Sequence, residues 1–303
     1  MILRVLGSAA GGGVPQWNCA CRNCTAVREG RAPRRTQSCA AIGSEDGSAW
    51  TLLNCSPDIA QQIEEFARLQ PRHRGEGQRD TPIAGALLTD ANVDHIGGLA
   101  VLRQGGSHSF TLRSSESVRA LAIVQPAFAP FAAPPHRWLC DRRCAPVNEE
   151  DPVGDLYDVR AFSVPGLMPG YAGRARVEGA VLAYDIRDRR SGGRVLFAPV
   201  YEAIDDALFT AIAQADVALL DGSFYADDEM RAAGLMDKSA RDLGHLPVGD
   251  SDGTLDRLQG VRTRVIFTHL NNSNPMLDPT SEAARRVRER GFEIAHDGLE
   301  VLL

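Results

Sequence analysis

The chain has 303 residues, with 33 Lys+Arg against 39 Asp+Glu for a formal charge of −6, and 44% apolar against 24% charged residues. This is the balance of a soluble globular protein and excludes a disordered chain, a collagen-like repeat and a coiled coil; the length allows one large domain or two ordinary ones. Mild negative charge and 6% aromatic content give no footing for nucleic-acid binding.

In chain order, apolar runs predict strands over 2–7, 38–43 and 49–54. A helix over 58–69 follows, where Asp58 precedes Ile59, Ile63 and Phe66 at helical spacing. Next come a strand over 82–89, a helix over 114–124, strands over 181–186 and 194–199, a helix over 205–215 and a strand over 216–221. A short helix from Ser251, a strand over 264–269 and a helix over 278–291 lead to two short strands, F-E-I-A and G-L-E-V-L-L, around the turn H-D-G. Gly291 suits a helix C-cap, after four arginines that complement the negative end of the helix dipole. The polar segment 71–80 reads as a surface excursion, and no repeat or long linker is present. Strands follow one another before helices intervene, so layered sheets with helices outside fit better than strict βαβ alternation.

No apolar run reaches the roughly 18–20 residues of a membrane span, and the opening M-I-L-R-V-L-G-S-A-A-G-G-G-V breaks into glycine too early for a secretory signal. The seven cysteines are an odd number in a chain long enough to bury a core without disulfides. Reduced thiols and a cytoplasmic location are therefore expected, with metal favoured over disulfide where cysteines crowd.

Three segments carry chemistry. T-D-A-N-V-D-H-I-G-G-L (89–99) places carboxylates and an imidazole at a strand end, before paired glycines that would let the backbone turn beneath an ion. T-H-L-N-N-S-N-P (268–275) puts His269 at another strand end, where the two sites can converge. C-A-C-R-N-C (19–24) offers Cys19, Cys21 and Cys24 to one tetrahedral Zn(II), with His245 of L-G-H-L-P as the expected fourth ligand of a closed, structural Cys3His site. Cys39 and Cys55 read as core residues, and Cys140 and Cys144 receive no ligand role. The glycines of 7–13 lack the order of a nucleotide loop and suit close backbone approach beside a metal pocket; R-R-V-R-E-R (285–290) reads as a solvated helix face.

At D-A-N-V-D-H the chain resembles the metallo-β-lactamase superfamily, whose loop reads H-x-H-x-D-H. That template's first two histidines fall on Asp90 and Asn92, while Asp94 and His95 are retained. Leu167 stands in place of the third-motif histidine, Pro199-Val200 stands where a bridging aspartate is expected, and His269 matches the last motif. The resemblance implies one α/β domain over 1–303, a metallo-β-lactamase-like αββα four-layer sandwich with an N-terminal Cys-rich zinc-binding loop (about 17–25). It also implies that one metal site of the usual pair is dismantled. The other keeps Asp94, His95 and His269, the two-His, one-carboxylate set of non-haem Fe(II) oxygenases.

The opening V-L-G-S-A-A-G-G-G-V-P-Q-W-N-C-A-C-R-N-C, with N-C-S-P-D-I (54–59), D-G-S-F-Y (221–225), M-D-K-S-A-R-D-L-G-H-L-P (236–247) and H-L-N-N-S-N-P (269–275), resembles the pyrroloquinoline quinone (PQQ) biosynthesis protein B family along the whole chain. A related branch of phosphodiesterases carries the cysteine cluster with a Gly-His at the place of His245, which supports the Cys3His expectation. The resemblance implies an Fe(II)-dependent, O2-using hydroxylase acting on the tyrosine ring of a cross-linked Glu–Tyr precursor, with Zn(II) as the alternative ion. Asp90 and Asn92 would line its pocket, Asp90 as a base or as a hydrogen-bond partner of a ligand. Arginine or lysine side chains, not identified by the sequence, would meet the substrate's carboxylates. The competing readings are a mononuclear zinc hydrolase and a carrier for transport of PQQ or its precursor to the periplasm. The implied partner is a small-molecule or short-peptide precursor of PQQ, without nucleic acid or a membrane span, and a homodimer is compatible with this reading.

Overall fold

The computed structural model describes residues 1–44, 47–72, 79–105, 108–140 and 156–303. Its strands, in chain order, are β1 (Ile2–Gly7), β2 (Cys39–Gly43), β3 (Trp50–Leu53), β4 (Ile83–Leu87), β5 (Thr111–Ser114), β6 (Arg137–Cys140), β7 (Tyr157–Ser163), β8 (Leu182–Asp188), β9 (Arg194–Ala198), β10 (Val217–Asp221), β11 (Arg264–Thr268), β12 (Glu293–Ile294) and β13 (Glu300–Leu302). They form a seven-stranded sheet in the order β13-β1-β2-β3-β4-β5-β6 and a six-stranded sheet in the order β12-β11-β10-β9-β8-β7. In each sheet one part is antiparallel and the other parallel: β3 to β6 run parallel in the first, and β9 to β12 in the second.

Most strands read as unbroken apolar runs because both of their faces are covered. Leu3 and Val5 of β1, with Ile42, Leu53 and Leu87, meet Tyr184, Phe197, Leu219 and Ile266 between the sheets. Ile2 and Leu6, one residue out of phase, face outward onto Ile59 and Val118 of the flanking helices. On the other side Ala218 and Leu220 alternate with Val217 and Leu219, and they pack under Leu208, Ile212 and Val287. The result is the αββα four-layer sandwich. The outer helices Glu116–Ile123, Asp206–Gln214 and Glu282–Glu289 each begin at a side-chain cap, from Ser115, Asp205 and Ser281 respectively. Among the described residues no helix is long and apolar enough to cross a membrane.

Three departures from the sequence reading have physical causes. The helix expected over 278–291 starts only at Glu282, because Ser281 caps it and Pro279 precedes it in a turn. The two terminal strands are not a hairpin: β12 extends the second sheet parallel to β11, whereas β13 closes the first antiparallel to β1. The turn between them changes sheet, fixed by the Asp297 carboxylate, which accepts from both the backbone N–H and the hydroxyl of Ser8 and of Thr36. Strands β5, β6 and β7 escape apolar-run reading because they are short or, in β7, alternate buried and exposed residues at a sheet edge. Of the 71–80 excursion, residues 73–78 lie outside the described residues, as does Cys144.

Candidate metal centre and its pocket

The parallel strands β4, β10 and β11 deliver the polar residues from their C-terminal ends. Beyond β4, Thr89 donates from Oγ1 to Asp90 Oδ2 (2.9 Å), and Asp90 Oδ1 accepts from the backbone N (2.9 Å) and Nδ2 (2.8 Å) of Asn92. Asp90 Oδ2 also receives His95 Nδ1 at 2.6 Å. Asp90 is fully buried behind His95, so the expectation that it lines the pocket is corrected; Asn92 does line it. An interaction with Nδ1 aims the opposite nitrogen forward. His95 Nε2 is buried, has no hydrogen-bond partner, and stands 3.8 Å from Asp94 Oδ2. The glycines after it serve a purpose other than turning: Gly97 and Gly98 are helical, and a Cβ on Gly98 would lie 2.2 Å from the carbonyl oxygen of Ser56. They let this segment press onto the loop after β3. From the glycine-rich loop after β1, Gly11 approaches Asp94 so closely that a Cβ there would lie 3.2 Å from Oδ2.

At the end of β11, His269 takes a left-handed backbone (φ 58°) that few non-glycine residues adopt. Its Nε2 lies 3.2 Å from Asp94 Oδ2, and its Nδ1 lies 2.7 Å from Ser223 Oγ. Ser223 donates to Asp221 Oδ1 (2.6 Å) at the end of β10, so its oxygen accepts from His269 Nδ1 and leaves Nε2 with its lone pair outward. Asp221 Oδ2 meanwhile accepts from His245 Nδ1 (2.7 Å), and the rings of His245 and His269 stack with centroids 5.6 Å apart.

Burial alone would hold Asp94 protonated, but the imidazoles of His95 and His269 outweigh it and keep the carboxyl well below the usual range. Desolvation likewise opposes charge on His95, yet the carboxylates of Asp90 and Asp94 prevail and raise its pKa to about 9. Asp221, buried, is lowered chiefly by His245 against its own desolvation. The ligand atoms of Asp94, His95 and His269 all lie within 4.8 Å of one another. Converging donors around a buried, unpartnered imidazole nitrogen fit a divalent cation. Asp94 and His269 border a cavity of about 330 Å3, whose apolar side includes Leu167, Met168, Val200 and Phe224. Leu167, at the third-motif position, packs against Gly244.

The sulfur atoms of Cys19, Cys21 and Cys24 form a group of their own within 4.8 Å, without His245, which instead groups with Asp221 and His269 within the same distance. The expected Cys3His set is therefore corrected. The 3-10 turn Arg241–Leu243 ends at left-handed Gly244 (φ 91°), and the following His245 is held on Asp221 inside the cavity instead. Asn272 occupies the place expected of the histidine: its Nδ2 lies 3.1, 3.5 and 3.4 Å from Cys19, Cys21 and Cys24 Sγ. Cys39 and Cys55 are buried in the core, and burial pushes the Cys39 thiol up to about 12, which leaves it inert.

Asp221, Ser223 and Asn272 lie in the quoted motifs D-G-S-F-Y and H-L-N-N-S-N-P but received no role in the sequence reading. Asp221 had a readable signal, since it ends an apolar strand just ahead of Gly-Ser, as Asp90 follows the strand β4. Asn272 had none, because only the fold brings 19–24 and 272 together.

Comparison with known proteins agrees with this architecture. The profile of the beta-lactamase superfamily domain matches residues 49–270. Across 99% of both chains the sequence is 40% identical to coenzyme PQQ synthesis protein B of Cupriavidus taiwanensis. It is 38% identical to the Rhizobium meliloti protein of that name, over 99% of this chain and 97% of the relative. The 1.98-angstrom crystal structure of Zn(2+)-bound PqqB from Methylobacterium extorquens superposes with a TM-score of 0.91 at 35% identity, covering 100% of both chains. A diphosphatase of the PhnP family shares the fold at a TM-score of 0.65 and 18% identity, over 99% of this chain and 96% of that one. The two sheets and the strand-end donors thus define a β-lactamase superfamily protein. Within that class, the chain belongs to the coenzyme PQQ synthesis protein B family.

Proposed function

We propose that this chain acts in PQQ synthesis as an iron-dependent, dioxygen-using hydroxylase of the tyrosine ring in a small, cross-linked Glu–Tyr precursor. The observation that carries this reading is the Asp94, His95 and His269 group beside the cavity, the donor set that non-haem Fe(II) takes with positions left open. These three side chains would hold the ion, and Fe(II) bound there supplies the redox chemistry by which dioxygen attacks an aromatic ring. In the overall balance a ring C–H becomes C–OH, the second oxygen atom leaves as water, and two electrons come from a small-molecule reductant such as ascorbate. Asp90 orients His95, and Ser223 orients His269. Leu167, Met168, Val200 and Phe224 exclude water and receive the ring. Buried behind His95, Asp90 has no path to a substrate proton. His245, whose Nδ1 is occupied by Asp221, has Nε2 to take a phenolic proton. The cysteine group, away from this cavity, is proposed to hold a structural Zn(II) that three thiolates and a neighbouring polar side chain would enclose.

The test is anaerobic purification, loading with Fe(II) or Zn(II), and addition of a tyrosine-containing Glu–Tyr unit with ascorbate while oxygen uptake and product mass are followed. An oxygen-dependent gain of one oxygen atom with Fe(II) alone is expected. Hydrolysis with Zn(II) and no such gain with Fe(II) would establish a mononuclear zinc hydrolase instead. Tight binding without turnover by either form would favour the carrier.

A further inference from the structure

Arg174 is the one Lys or Arg among the described residues that line the cavity, and it lacks a carboxylate partner among them. Its Nη1 donates to the main-chain carbonyl of Asp242 (3.0 Å), which holds the group without neutralising it. The Asp242 carboxylate is turned away, accepting from Ser239 N (2.9 Å) and pairing with Arg231. The other edge of the guanidinium, Nε and Nη2, passes over Gly170, which has no side chain to cover it. That edge is the planar fork that pairs with a carboxylate through two parallel hydrogen bonds.

The segment that carries Arg174 is built to hold it still. Gly173 and Arg174 are left-handed in succession (φ 88° and 54°), a conformation unusual for arginine. Met168 N bonds to Ala175 O (2.9 Å), closing the turn, and the Tyr171 hydroxyl donates to the carbonyl of Ala91, the residue after Asp90. The cation is thereby tied to the same segment that positions His95. A cavity with a metal-binding group, an apolar side and one uncompensated guanidinium matches a ligand that is aromatic and anionic at once.

We propose that Arg174 is the specificity-determining residue of this pocket, binding a carboxylate carried by the phenolic substrate. The inference rests on the reading of the cavity as a phenol site and adds to it the group that selects acids over neutral phenols.

The probes are 3-(3,4-dihydroxyphenyl)propionate and 4-ethylcatechol, similar catechols with and without a carboxylate, titrated calorimetrically into the Zn(II)-loaded protein. Wild type is expected to bind the acid at least tenfold more tightly than the neutral catechol. Arg174→Gln should erase that preference while leaving 4-ethylcatechol affinity, zinc content and thermal midpoint unchanged, and Arg174→Lys should restore part of it. Equal affinity of wild type for both probes, or a preference that survives in Arg174→Gln, overturns the role of Arg174 and leaves the phenol site standing. Failure of wild type to bind either probe overturns the phenol site and, with it, this assignment.

Discussion

At the scale of single residues, the site depends on which nitrogen of each histidine is already engaged. Asp90 binds Nδ1 of His95 and thereby exposes Nε2, and it does so with a negative charge that makes the imidazole a better donor. Asp90→Asn keeps the size but loses the charge, so affinity for Fe(II) or Zn(II) should fall by about 10–100-fold, as read by competition with a chelator. The sign of the pH dependence follows from His95. Without metal its pKa is raised to about 9, so a proton and a cation compete for the imidazole below that value. Metal uptake at pH 7 should therefore release a proton from His95. Apparent affinity should rise as pH approaches 9 and then level off, measurable with a pH indicator in weakly buffered solution. Affinity independent of pH between 7 and 9 would contradict this.

At the scale of elements, two short segments carry more than their length suggests. The helix Glu229–Ala232 places Glu229 under the His269 loop, where its carboxylate accepts from Ser273 Oγ (2.5 Å) and Tyr225 N (2.8 Å). Burial outweighs these bonds and raises the Glu229 pKa to about 7. An acid raised in the folded state stabilises the fold only while protonated. Its contribution is full below the unfolded value near 4.5, and it is lost as pH rises to about 7. Glu229→Gln should remove this loss, giving a gain of about 1–3 kcal/mol over wild type at pH 8 and little gain at pH 4.5 in urea denaturation. The second segment is the helix Arg22–Arg28, which lacks a side-chain N-cap, starts directly after Cys21 and carries Cys24 in its first turn. Its order should then depend on the metal group: Cys21→Ser is expected to lower zinc content and speed proteolysis near residue 20, with metal preference at Asp94 unchanged. A variant that keeps full zinc and resists protease would remove the structural role.

Across the whole molecule, the sheets are joined by apolar packing with a polar tie beside the site. Tyr184 of β8, fully buried, donates to the carbonyls of Leu88 and Arg113 (3.0 Å each) in the opposite sheet. Tyr184→Phe leaves the Leu88 carbonyl short of that donor just before Thr89 and Asp90, and should cost about 1–3 kcal/mol of unfolding free energy in chemical denaturation. Leu219→Ala in the same core should cost about 2–5 kcal/mol through the cavity it opens.

Apolar runs were enough for layered sheets with helices outside and for the strand ends bearing Asp94, His95 and His269, whereas the αββα sandwich and the family came from the resemblance of motifs quoted along the whole chain. Runs and motifs suffice because strands covered on both faces must be apolar throughout, and a motif keeps its residues adjacent in the chain. Tertiary structure decided the rest. It sent β12 and β13 to different sheets, took His245 from the cysteines to Asp221, brought Asn272 to the thiols and put Arg174 on the cavity wall. None of these contacts has a local pattern, since each joins residues distant in sequence or depends on a left-handed turn such as Gly244 or Arg174. The chain specified which donors exist; packing of the two sheets chose which of them meet.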